Sequence, residues 1–256
     1  MLKLFLVWNH IQAEEAVNYH GISREKIKVV GAMHFDRLHH MRTDFVRDDI
    51  REKYSVTSED KIIFLPAYSR RLGEREPAVI NHLLHHLKSI DRIKIIIRPY
   101  PNDPDFYNRF SHVINHPRVS VIDLNSTNDD EDFRVISELL YAADIVLTGC
   151  STAAIEAMYY DTPVIHLGID QGQKIGKQAL FKKYFFSDHY KHIMKHKASF
   201  YVQTYGELLN AVQVYFEDLS THRRERQLVV KEQVAYTDGQ SGRRIIEHIK
   251  DELPLG

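Results

Sequence analysis

The chain has 256 residues, 43% of them hydrophobic, and 34 Lys and Arg against 35 Asp and Glu give a formal net charge of -1. That length and composition bury a substantial core, and the even charge balance excludes a global basic field able to draw nucleic acid or anionic lipid. A single cysteine, Cys150, excludes an intrachain disulfide and fits a reducing, cytoplasmic compartment; no window approaches the roughly eighteen uncharged apolar residues of a membrane span, and the apolar start Met1–Trp8 runs too soon into "NHIQAEEA" to be a secretory signal.

Apolar runs rich in β-branched residues recur along the chain: "KLFLVWN", "IKVVGA", "KIIFLPAY", "IKIIIRPY", "VSVIDL", "DIVLTGC", "PVIHLG" and "SFYVQTY". Most are continuous rather than alternating, as strands buried on both faces require. Between them the spacing predicts helices over 12–20, 36–54, 76–90, 105–115, 131–142, 151–160 and 205–216. Strands alternating with helices imply parallel βαβ units and right-handed crossovers. The fold class is therefore α/β, a Rossmann-like doubly wound parallel sheet.

Regular alternation spans 61–216, which reads as one Rossmann-like domain. Residues 1–60 hold too few strands for a second sheet and read as the end of another domain plus a linker. Residues 217–256 are charged and helical, broken by "TDGQSG" before a last helix at 243–252. These helices are expected to return towards the N-terminal side.

In a doubly wound sheet ligands bind beyond the carboxyl ends of the strands. Four such junctions are polar: "PAYSRR", "RPYPND", "NSTNDDED" and "TGCST". In the last, Gly149 permits close backbone approach, while Ser151 and Thr152 place hydroxyls and N–H groups at a helix N-terminus, where the dipole favours an anion. Ser151 is equally a plain helix cap. Glu156 lies five residues after Ser151 and four after Thr152, outside the register of a capping box. It is placed to accept hydrogen bonds from sugar hydroxyls, or to stand as a solvated first-turn carboxylate. Arg98, Arg70 and Arg71 bring guanidinium groups to the same edge, suited to phosphate or to surface ion pairs.

Sixteen histidines raise the question of a metal. The sets His82, His85, His86 and His189, His192, His196 match no metal signature with a catalytic carboxylate and read as amphipathic helix surface. No nucleophile elbow, Walker loop or dinucleotide-binding glycine motif is present, which counts against hydrolase, P-loop and ordinary NAD chemistry.

Several segments carry a likeness to a known family: "KIKVVGAMHFDRL", "IIFLPAYSRR", "IIIRPYPND", "AADIVLTGCSTAAIEAMYYDTPVIHLG" and "DGQSGRRIIEHI". In that order they resemble the C-terminal, donor-binding half of GT-B fold glycosyltransferases, nearest to the bacterial surface-polysaccharide transferases of the CDP-glycerol glycerophosphotransferase-like and Kdo transferase-like groups. "LFLVWNHIQAEEAVNYHGI" resembles the last strand and helix of the N-terminal, acceptor-binding domain of such enzymes, so a remnant of that domain is expected.

The resemblance implies a UDP- or CDP-linked donor whose diphosphate meets Gly149, Ser151, Thr152, Arg98 and Arg70. Glu156 would hold the ribose or donor sugar, and Gly31, Asp36 and Asp238 would face an interdomain cleft. It assigns no catalytic residue. It implies neither metal nor other resident cofactor, a cytoplasmic enzyme of cell-surface polysaccharide synthesis, at most peripheral contact with the inner membrane face, and an acceptor-binding domain or partner chain. Where the family has His in the loop after Arg98, this chain has Tyr100. A UDP-sugar 2-epimerase-like enzyme shares the fold and the hydroxyl–helix–Glu motif and is the first alternative. A non-catalytic binding subunit that needs a partner chain is the second.

Overall fold

The protein is described by a computed structural model covering residues 3–68, 70–87, 90, 92–101, 103–122, 129–169, 184–188 and 190–252, with the backbone alone for Arg71 and Asp129. Two compact units divide it: 1–44 with 227–256, and 45–226.

The larger unit holds a six-stranded sheet built from the continuous apolar runs. Its strands are β3 (Lys61–Pro66), β4 (Ile93–Arg98), β5 (Val119–Val121), β6 (Ile145–Thr148), β7 (Val164–Leu167) and β8 (Phe200–Val202), in the order β5-β4-β3-β6-β7-β8, every pair parallel. Ile62, Ile63, Phe64 and Leu65 are all at most 2% exposed, so both faces are covered, which is why these runs show no alternation. On one face Ile63, Leu65, Ile95 and Ile97 pack with Val79, Ile80 and Leu83 of α5 (Glu76–His86) and with Leu208 and Val212 of α10 (Tyr205–Glu217). Against β3 and β6 also lie α7 (Asp129–Ala142) and α8 (Thr152–Tyr159), with α3 (Arg47–Lys53) on α7.

The order places sequentially distant β3 and β6 side by side, with Ile63 opposite Ile145. Winding reverses there, and the crossovers leaving the two strands diverge, opening a crevice at their carboxyl ends.

In the smaller unit, β1 (Phe5–Val7) and β2 (Ile27–Val29) pair in parallel around α1 (His10–His20). Asn9 caps α1 through Gln12 N–H at 2.9 Å, and its Nδ2 donates to the Gln233 carbonyl of α11 (Arg223–Val234). Gly31, at φ +89°, lets α12 (Ser241–Glu252) approach α2 (Met33–Arg42): a Cβ there would meet Ser241 Oγ at 2.4 Å. Asp36 accepts the Gly242 N–H at 3.0 Å.

Two helix expectations need correction. The stretch 36–54 is not one helix but α2 and α3, parted where the Thr43 hydroxyl turns back to the His40 carbonyl at 2.7 Å. Of 105–115 only α6 (Phe106–Arg109) is helical; the chain beyond it proceeds in turns, with the amides of Val113 and Ile114 both reaching the Phe110 carbonyl.

Candidate functional site

The β3 and β6 ends bring together two loops. After β3, Tyr68 is held on both sides of its backbone: its N–H reaches the two Glu76 oxygens at 3.1 Å, and its carbonyl accepts from Arg109 at 2.7 Å. Arg109 also donates to Asp103 at 2.8 Å and lies 3.7 Å from Glu76. Burial lifts the Glu76 carboxyl to about 8, opposed by the Tyr68 amide and the Arg109 charge. This buried cluster joins the first two polar junctions of the sequence. Arg109 has no local motif to announce it, since its partners lie at positions 68, 73, 76 and 103.

Across the crevice, Gly149 follows β6 directly beneath the Tyr68 ring. A Cβ there would lie 3.0 Å from Tyr68 Cε2 and 3.3 Å from its hydroxyl oxygen, so glycine is what permits this ring position. Burial raises the Tyr68 pKa, with the nearby Ser151 and Thr148 hydroxyls opposing. None of these approaches is a well-aligned hydrogen bond: among the described residues, Tyr68 Oη and Thr148 Oγ1 are buried without a partner. Such orphaned hydroxyls cost free energy unless something completes them.

Ser151 is the N-cap of α8, its Oγ accepting the Ala153 N–H at 3.1 Å. The capping reading is thus observed directly, and Thr152 stands exposed at the first helical position. Glu156 is only 6% exposed, so the solvated-carboxylate reading does not hold. Burial pushes the Cys150 thiol up to about 12, which leaves it a poor nucleophile.

Arg98 ends β4 at the sheet edge, 9% exposed, with its guanidinium on Asp132 of α7. Arg70, in α4 (Arg70–Gly73), meets Asp105 at 3.0 Å in solvent. Any phosphate taken by either arginine must share it with a carboxylate. Gly31, Asp36 and Asp238 belong to the smaller unit, where Gly31 and Asp36 seat the start of α12 and Asp238 pairs with Arg244. Ser69, 125–128, His189 and the Arg71 side chain lie outside the described residues.

A six-stranded parallel sheet in this order, with a capped helix starting at its switch point, defines a Rossmann-like domain. The UDP-N-acetylglucosamine 2-epimerase family model matches residues 5–250, and the chain belongs to that family. No curated protein matches it. Among solved structures, S. aureus MnaA with UDP is similar at 17% identity and TM-score 0.65, over 99% of this chain and 60% of that one. The Methanocaldococcus jannaschii UDP-GlcNAc 2-epimerase in complex with UDP-GlcNAc and UDP gives 17% and 0.62, over 97% and 61%. The wall teichoic acid polymerase TagF gives 18% and 0.64, over 97% and 57%. The chain thus spans about three-fifths of the length of these structures. The family is the one the sequence reading held as its first alternative. Of the leading transferase reading, the GT-B fold and the likeness to TagF stand.

Proposed function

We propose that this chain is the nucleotide-binding half of an enzyme acting on a UDP-N-acetylhexosamine, and that the reaction it serves is epimerisation at C2. The observation that carries the reading is the pair of unpartnered buried hydroxyls, Tyr68 and Thr148, at the switch point beside the N-terminus of α8. A diphosphate offers acceptors to both hydroxyls and to the helix dipole. Glu156, one turn into α8, is the acceptor for vicinal hydroxyls of the ribose or sugar. Neutralising the diphosphate stabilises the departing nucleotide when the C1–O bond of the sugar breaks. The groups that take and return the C2 proton are expected on an acceptor-side domain or partner chain, and no resident cofactor is required in a cytoplasmic enzyme of this kind.

Incubating this chain together with the domain or partner chain that carries the proton-transfer groups, with UDP-GlcNAc and no acceptor, followed by proton NMR, tests the reaction. The C2 epimer is the expected product. Release of UDP with the sugar's C2 configuration intact would favour the second reading, transfer from a nucleotide-linked donor, which the similarity to TagF supports.

A further inference from the structure

His166 interrupts an otherwise apolar strand, with Val164, Ile165 and Leu167 as its neighbours in β7, and is 0% exposed. Its Nδ1 lies 2.7 Å from Ser199 Oγ and its Nε2 2.8 Å from Tyr190 Oη. Tyr190, itself 4% exposed, extends the chain to two backbone carbonyls: Ser151 O at 3.3 Å and Gly149 O at 3.5 Å. One assignment of protons satisfies every member. Ser199 O–H donates to Nδ1, Nε2–H donates to the Tyr190 oxygen, and Tyr190 O–H donates to the carbonyl pair. The reverse direction would leave the phenol oxygen against two carbonyl oxygens with no proton between them. Burial pushes the imidazole down to about 3, so the neutral, single-donor form that this arrangement needs is the one present.

The carbonyls thus gripped have a consequence for the amides that follow them. In a trans peptide the C=O and N–H point in opposite directions, and no cis bond is present among the described residues. With the Gly149 and Ser151 carbonyls turned to Tyr190, the N–H groups of Cys150 and Thr152 turn away from it, at the end of the turn where α8 begins.

We propose that Tyr190, oriented by His166, is a positioning residue for the diphosphate: it fixes the Gly149–Thr152 backbone so that the Cys150 and Thr152 amides are aimed at the phosphate oxygens. This rests on the nucleotide reading above. Removing the hydroxyl frees the Gly149–Cys150 peptide to rotate and leaves the Ser151 carbonyl to the Ala154 N–H alone, at 3.1 Å, and the cost falls on the anion.

The test is calorimetric titration of UDP into the full chain as wild type, Tyr190→Phe, and the double variant His166→Phe with Tyr190→Phe, each with its urea midpoint. Tyr190→Phe is expected to weaken UDP about fivefold, the worth of one hydrogen bond. It also leaves the His166 N–H unsatisfied, so its stability falls. The double variant replaces both polar partners with rings, which restores much of the stability, while UDP affinity stays low. If the single variant does not fold, the double variant carries the comparison. Affinity that recovers together with stability overturns the proposal, because the loss is then a folding effect. Wild-type binding matched by both variants overturns it alone; wild-type silence towards UDP and CDP overturns the nucleotide reading and this proposal with it.

Discussion

The His166 imidazole makes the clearest pH statement in the molecule. Its ordinary value is 6.5, and burial lowers it to about 3 in the folded chain. Above 6.5 both folded and unfolded forms are neutral and its contribution is complete. As pH falls from 6.5 towards 3 the unfolded chain takes up a proton that the folded chain refuses, so stability is lost across that window. From pH 6.5 to about 5 the loss is about 2 kcal/mol at 1.36 kcal/mol per unit. Urea midpoints at pH about 7.5 and about 5 should therefore fall more in the wild type than in the His166→Phe, Tyr190→Phe double variant. Equal shifts would remove His166 as the cause. Residue roles were only partly legible in the sequence. Ser151 and Glu156 stand in a local motif that announces them. Glu76, Arg109 and Tyr190 meet the site through contacts distant in sequence, such as Tyr190 to Gly149. His166 did leave a trace, as the one polar residue inside "PVIHLG".

Among the elements, α3 shows how a charged helix joins an apolar sheet. Arg47 donates to Asp144 at 2.8 Å, Arg51 lies 3.5 Å from it, and Asp144 also accepts the Ile62 N–H of β3 at 2.7 Å. Arg51 and Asp144 are both about as buried as core residues. Asp144→Ala leaves the Arg51 charge without its carboxylate, and the expected cost is about 3–5 kcal/mol in urea unfolding. A loss below about 1 kcal/mol would mean that the carbonyls of Thr57, Asp60 and Ala142 already satisfy Arg51. The strand runs of the sequence all became strands among the described residues, and in β3, β4, β6 and β7 near-continuous burial accounts for the strong apolar signal. Helix continuity was less legible. The pattern of 36–54 carries no Gly or Pro at its break, and the turn rests on a side-chain hydroxyl at Thr43.

For the whole molecule, the parallel order β5-β4-β3-β6-β7-β8 converts a list of polar loops into one location, because only β3 and β6 flank the reversal of winding. Alternation in the sequence foretells the doubly wound sheet, but strand order is a tertiary fact that no local pattern encodes. The family match over 5–250 and the likeness to solved structures agree with that fold. In the proposed function, the turn from Gly149 to Thr152, with Tyr68, Thr148 and Glu156 around it, holds a nucleoside diphosphate. This is tested most directly by calorimetric titration of UDP into the wild type and Glu156→Ala. Saturable one-to-one binding, weakened roughly tenfold or more by the loss of a charge-assisted acceptor, is the predicted result; absence of heat from UDP and CDP with the wild type, or equal affinity in the two proteins, would contradict it.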